Sequence, residues 1–237
     1  MRLSVTDLDQ YLYWLSMDDA GPEWLVDRLT IFEPSPAMQA GSAFHAALER
    51  LPNSASLLVH EVVKENKTGE LSWEDMAADR KTYRFAFKCD AEIVLPSQRE
   101  LKIEREILPG IILVGKIDGI DGNRIVDYKL TERLDVERYA DSMQWRSYLM
   151  LFETNEFEYS IFEGRPDRGR ELDYTIHAHH SLKFYRYPGM DSDVRKCAGE
   201  LAKFIQQHNV KAKMLRELLT HEILRINLRA SNASERL

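Results

Sequence analysis

Residues 115–148 read GKIDGIDGNRIVDYKLTERLDVERYADSMQWRSY, and the fold follows from how this stretch is parsed. An apolar run, Ile111-Ile112-Leu113-Val114, leads through Gly115 to an acid, Asp118. A turn is expected over Gly119–Asn123, pivoting on Asp121-Gly122, because Asp-Gly pairs favour tight hairpin geometry. A second β-type run, Arg124-Ile125-Val126, ends on Asp127-Tyr128-Lys129. The two strands form a predicted hairpin with both carboxylates at one place. Side chains alternate along a strand, so Asp127 and Lys129 share a face and Tyr128 takes the other.

Two hard carboxylates beside one ammonium suit a divalent cation acting on a phosphate ester. Mg²⁺ and Mn²⁺ prefer oxygen ligands and keep open positions for water and phosphate oxygens. The lysine can orient or help deprotonate an attacking water, and offset growing charge on phosphorus. An Asp-x-Lys after a strand is also common as a plain surface ion pair, so the weight rests on what accompanies it.

What accompanies it is an ordered series: Gly41-x-x-x-His45-x-x-x-Glu49, Gly115-x-Ile117-Asp118, Asp127-Tyr128-Lys129 and Gln144-x-x-x-Tyr148. The series resembles the RecB-like exonuclease branch of the PD-(D/E)xK nuclease superfamily, with Ile117 where the superfamily name has proline. The resemblance implies an α/β fold with a restriction-endonuclease-like core, a mixed central β-sheet flanked by helices. It implies a Mg²⁺- or Mn²⁺-dependent deoxyribonuclease with His45, Asp118, Asp127 and the Tyr128 carbonyl on the metal. Lys129 would position the water, while Gln144 and Tyr148 would orient the DNA strand or Lys129. Relatives carry a metal-reaching glutamate on the strand before Asp118. Here Glu104 and Glu106 share the right parity and both stay open, Glu104 standing as the candidate. The implied substrate is DNA, as ends or single strands, in recombination or repair, with a homo-oligomer or a recombination protein as the implied partner. Exonuclease action is expected over endonuclease action. The rivals are a structure-selective endonuclease or RNase, and a non-catalytic DNA-end or protein-binding subunit that keeps the fold.

The rest of the chain fits one domain. At 237 residues it suits a single large α/β unit over 1–230, with 53–80 as an insertion, 190–230 as C-terminal helices and 231–237 as a tail. Its 44% hydrophobic and 30% charged residues are ordinary for a globular protein, and no apolar run is long enough to span a membrane. The first residues show no secretory cleavage pattern. Cys89 and Cys197, the only cysteines, cannot supply four thiolates, so no iron–sulfur cluster is expected. Two thiols suit a reducing cytoplasm, in the resemblance's terms that of a bacterial or phage-infected cell. The formal charge of −7 argues against a broadly adhesive DNA binder, but not against a nuclease with a confined channel.

Helices are predicted from Ser4 to Leu15, Ala37 to Arg50, Leu134 to Phe152 and from Asp191 onward, with a further one over Lys211–Leu228. The spacing of four puts His45 and Glu49 on one helix face, and likewise Gln144 and Tyr148. Glu49 stays open between fixing the imidazole tautomer and simple solvation. A histidine beside Phe44 and Leu48 is ordinarily a hydrogen-bonded core residue; the later motifs turn the reading to ligation. Strands are predicted over Lys81–Lys88, Leu101–Ile107, Phe157–Glu163 and Leu172–Ile176, the last two around a basic turn at 164–170. His177, His179 and His180 follow no coordination spacing and are expected at a sheet edge.

Overall fold

A computed structural model describes residues 1–30, 33–51, 57–58, 70–75, 81–89, 92–93 and 95–210. The predicted helix over 211–228 and the tail lie outside the described residues, as does most of the 53–80 insertion.

In chain order the described elements are β1 Arg2–Ser4, α1 Val5–Leu15, α2 Pro22–Thr30, α3 Pro36–Glu49, β2 Leu57–Leu58, β3 Glu70–Asp75, β4 Lys81–Phe87, β5 Glu92–Ile93, β6 Gln98–Leu108, β7 Ile111–Asp121, β8 Arg124–Thr131, α4 Val136–Asp141, α5 Met143–Phe152, β9 Glu156–Asp167, β10 Arg170–Tyr185 and α6 Met190–Gln207. Strands β1-β7-β8-β9-β10-β4-β3 form one mixed sheet, with β6 also paired to β7. β8 and β9 run parallel while β7 and β8 run antiparallel, so the sheet changes sense at β8. This is the mixed sheet flanked by helices that the sequence predicts.

The β7–β8 hairpin forms, but its turn is only Gly122-Asn123, not Gly119–Asn123 as expected, because Gly119 to Asp121 stay paired to β8; Gly122 sits at φ +59°, a left-handed conformation that glycine adopts without a Cβ penalty. Apolar residues on the two sheet faces build two cores. Ile125, Phe157, Tyr159 and Ile161 join residues of α1, α2, α5 and α6 on one side. Val126, Tyr128 and Phe162 pack with Phe44, Ala47 and Leu48 of α3 on the other. Alternation along β8 thus sends successive residues into different cores, which is why so short a strand can anchor two helix layers.

Other boundaries differ from the sequence reading as well, β9 among them, which runs to Asp167 into the residues read as a basic turn. The predicted helix over 134–152 is two helices, because Ser142 is extended (φ −55°, ψ 138°) and its hydroxyl caps the Gln144 N–H at 2.9 Å. A serine whose side chain satisfies a backbone donor outcompetes helix continuation there. The strand predicted to end at Ile176 runs on to Tyr185. Its polar residues are matched across β9, with His177 and His180 on Glu163 and Lys183 on Glu156. Cross-strand pairing sustains a strand that apolar alternation does not announce.

Gly115 explains the glycine three residues before Asp118. A Cβ there would lie 2.8 Å from Leu151 Cδ1 and 3.1 Å from Tyr148 Cε1, so α5 can rest directly on β7 only over glycine. Gly115→Val is expected to lower unfolding stability by about 1–3 kcal/mol through overpacking, measured by denaturant titration. A variant as stable as the wild type would show that this contact relaxes freely.

Candidate active site

The site begins where the β7–β8 ladder stops. Backbone pairing joins Asp121↔Arg124, Ile120↔Ile125 and Gly119↔Val126 and then ends. At that point the Tyr128 N–H donates to Asp118 Oδ2 at 2.8 Å, so a side-chain carboxylate replaces a ladder carbonyl. A buried N–H must find an acceptor, and meeting it with a side chain lets the two strands diverge.

From one face α3 reaches this opening. Ser35 caps the helix by accepting the Met38 N–H, and Pro36 opens it. Its far end is tied to β6 by the Arg99 guanidinium, which donates to the carbonyls of Leu48, Glu49 and Leu51. Held at both ends, α3 places His45 Nδ1 3.2 Å from Asp118 Oδ2, with the ring edge-on to Tyr128. Burial opposes the imidazolium, but the hydrogen bond and charge of Asp118 outweigh it and raise the His45 pKa. Burial likewise opposes the Asp118 carboxylate, yet His45, Lys129 and the Tyr128 N–H keep its pKa below the ordinary value.

On the other face sits the second pair. Asp127 is 2% exposed, and its Oδ2 lies 2.5 Å from Lys129 Nζ. At that distance the ammonium answers the buried oxygen as a close charge-assisted contact. Oδ1 accepts from Gln144 Nε2 at 3.1 Å. Burial pushes the Asp127 carboxyl up to about 6 against the pull of Lys129. Burial also opposes the Lys129 ammonium, but Asp127 and Asp118 together raise its pKa. Gln144 is therefore turned to Asp127. The Tyr148 hydroxyl donates to the Lys116 carbonyl of β7 at 2.7 Å and so braces the strand that carries Asp118.

The glutamate anticipated on β6 is placed differently. Glu104 stands opposite Val114 and pairs with Arg2 at 2.6 Å and Lys102 at 3.2 Å, on the exposed rim. Glu106 accepts the Gly110 N–H of the following turn. Neither is brought to the cluster. Glu100, which the sequence reading passed over, lies between the Arg99↔Gly119 and Leu101↔Ile117 pairs, beside Asp118. It is four residues from Glu104, about 13 Å along a strand. Its backbone is left-handed (φ +57°), and it lies before Leu101, where the predicted strand began. Glu100 and Glu49 line one small cleft with His45, Asp118 and Tyr128.

Among the described residues, no group of three or more His, Cys, Asp or Glu side chains is disposed to hold a cation, because Asp118 faces His45 and Asp127 faces Lys129. The donor set nevertheless fits a hard divalent ion: two carboxylates, an imidazole, and an acid-lined cleft alongside.

Two carboxylates and a lysine thus gather where the mixed sheet splits. The chain matches the PD-(D/E)XK nuclease superfamily over residues 3–230 and belongs to it. No curated protein matches the chain. Among solved structures it resembles a phage-related exonuclease from Haemophilus somnus, at 8% identity over 90% of this chain and 96% of that one, with a TM-score of 0.51. An alkaline exonuclease from Laribacter hongkongensis is 12% identical over 95% and 94% of the two chains, with a TM-score of 0.43. A putative exonuclease from Eubacterium rectale is 13% identical over 90% and 82%, with a TM-score of 0.47. The first likeness supports the fold.

A cation held by Asp127 and His45 must displace a proton from each at low pH, since both pKa values are raised. Mn²⁺ affinity should therefore climb with pH, by roughly two decades per unit below pH 6 and roughly one above it until the imidazole is neutral. His45→Ala should remove the upper step. Calorimetric titration between pH 5 and 8 checks this, and a flat affinity would remove both residues from the ligand set.

Proposed function

We propose that the chain is a Mg²⁺- or Mn²⁺-dependent deoxyribonuclease that hydrolyses phosphodiester bonds from DNA ends, in recombination or repair. The observation that carries the reading is the convergence of Asp118, Asp127, Lys129, His45 and Gln144 at the split between β7 and β8. Asp118, Asp127, His45 and the Tyr128 carbonyl would hold the cation. When bound, such an ion lowers the pKa of water and polarises the phosphorus–oxygen bond.

The chain's own groups do the rest. Lys129 is an ammonium in this environment, so it acts as a donor that orients the attacking water and offsets charge on the phosphoryl oxygens. Gln144 fixes Asp127 through Oδ1, and Oδ2, which rests on the Lys129 ammonium, would turn to the cation on ligation. Tyr148 keeps β7, and with it Asp118, in place through the Lys116 carbonyl. No iron–sulfur cluster enters this reading. A second reading, a DNA-end-binding subunit without chemistry, draws on the inward pairing of both carboxylates with His45 and Lys129.

End-labelled linear duplex and covalently closed circles, incubated with Mn²⁺, separate these readings. Linear DNA should be consumed while circles survive. Cleavage that persists undiminished in excess chelator excludes metal dependence, linearised circles point to an endonuclease, and no cleavage under any condition favours the binding subunit.

The two residues on one strand face should part company when replaced. Asp127→Ala should abolish turnover and weaken Mn²⁺ binding together. Lys129→Ala should keep Mn²⁺ binding, or tighten it slightly as a repelling charge departs, while turnover falls by ~100-fold or more. Wild-type turnover in Lys129→Ala would leave the pair as a structural ion pair only.

A further inference from the structure

Beyond these groups, a chain of side chains leads from the site to the first helix. Asp9, on α1, accepts the Met143 N–H at 2.6 Å through Oδ1, and both its oxygens lie within 3.1 Å of Ser142 Oγ. Ser142 Oγ in turn contacts the Tyr159 hydroxyl at 3.2 Å and accepts the Gln144 N–H at 2.9 Å. The Tyr159 hydroxyl donates to Gln144 Oε1 at 3.3 Å, and Gln144 Nε2 donates to Asp127 Oδ1 at 3.1 Å.

Proton counting gives this chain a direction. Ser142 has one hydroxyl proton, and an anionic acceptor takes it in preference to a neutral one. With that proton on Asp9, the Ser142 oxygen offers only lone pairs to Gln144 and Tyr159. The single Tyr159 proton then points toward Ser142 and the Gln144 carbonyl. A carbonyl held by a donor leaves the NH₂ group of Gln144 for Asp127, whereas the flipped amide would set its oxygen against a carboxylate. We propose that Asp9 is a positioning residue for the nuclease centre, acting through Ser142 and Tyr159 to fix which end of the Gln144 amide meets Asp127.

Helix initiation alone does not require Asp9, because Ser142 already caps α5 from within its own segment. Burial raises the Asp9 pKa, opposed by Ser142, the Met143 N–H and the charge of Lys129, so this carboxylate sits where ionisation is disfavoured unless those partners are present. Tyr159 is also the ring over which Lys129 Nζ lies, 5.7 Å from its centroid, so the same relay borders both members of the Asp127–Lys129 pair.

The inference rests on the nuclease reading for its consequence in turnover, and its test keeps the two apart. Asp9→Asn is nearly isosteric and lets an amide donate to Ser142, which releases the serine proton. Its kcat on linear DNA with Mn²⁺ should fall by ~10- to 100-fold with KM little changed, the size expected when a positioned group loosens. In a Gln144→Ala background the same substitution should change kcat by less than about 2-fold, since residues acting through one another are non-additive. In metal-free protein, the ¹⁵N-resolved side-chain amide protons of Gln144 should exchange at least ~10-fold faster in Asp9→Asn than in wild type. Ser142→Ala breaks the relay from its other end and should show the same coupling to Gln144 if Asp9→Asn does not fold. Equal losses in both backgrounds, or an unchanged Gln144 amide in the substituted proteins, would overturn the proposal. A wild-type protein that fails to cleave DNA defeats the nuclease reading, while amide exchange still decides the relay.

Discussion

One hydrogen bond, from the Tyr128 N–H to Asp118 Oδ2, sets the terms for the rest of the site. β8 is bound along its whole length to β9, eight residues in parallel register, but to β7 over only three. Its backbone is thus fixed on one edge and released on the other, and the released donor would be a liability were it not taken by Asp118. The gap this opens admits His45 from the α3 side and Gln144 from the α5 side, so groups from two helix layers meet at a single strand end. A ladder that continued past Gly119 would close that gap and leave Asp118 and Asp127 as ordinary strand residues.

Charge compensation within the gap is pairwise. His45 answers Asp118 and Lys129 answers Asp127, and the opposite pKa directions of the two acids follow from how much help each receives. Asp118 has an imidazole and a backbone N–H; Asp127 has an ammonium and one amide, in a far more enclosed place.

Much of this was legible in the residues. The hairpin, the two acids on adjacent strands, the shared face of Asp127 and Lys129 and the helix bearing His45 all follow from periodicity and turn chemistry, which are local. The signals that failed were those in which a local pattern is broken by a distant partner. Ser142 interrupts an apolar helical spacing by capping the Gln144 N–H, and its hydroxyl is held as well by Asp9, 133 residues earlier. Glu100 was passed over because the predicted strand began at Leu101, whereas β6 starts at Gln98 and carries Glu100 beside Asp118. β10 runs past Ile176 on charge pairs with β9 that no single-strand pattern displays. Tyr148 is one turn from Gln144 as expected, but the direction of its hydroxyl, toward the Lys116 carbonyl, depends on the close contact at Gly115.

The electrostatics also narrow what Lys129 does. From the sequence it was open whether the lysine orients water or removes its proton. A general base needs a lone pair at working pH, and its pKa should lie near neutrality. Burial alone would lower the Lys129 pKa toward that range, yet the carboxylates of Asp127 and Asp118 more than reverse the effect. In the proposed reaction Lys129 would therefore meet substrate as a charged donor, its leverage coming from stabilising negative charge in an enclosed place, where a fixed ammonium acts more strongly than it does in water. The same enclosure explains why its partner must be so carefully held. Asp127 is held at both oxygens, Oδ1 by the amide of Gln144 at 3.1 Å and Oδ2 by the Lys129 ammonium at 2.5 Å.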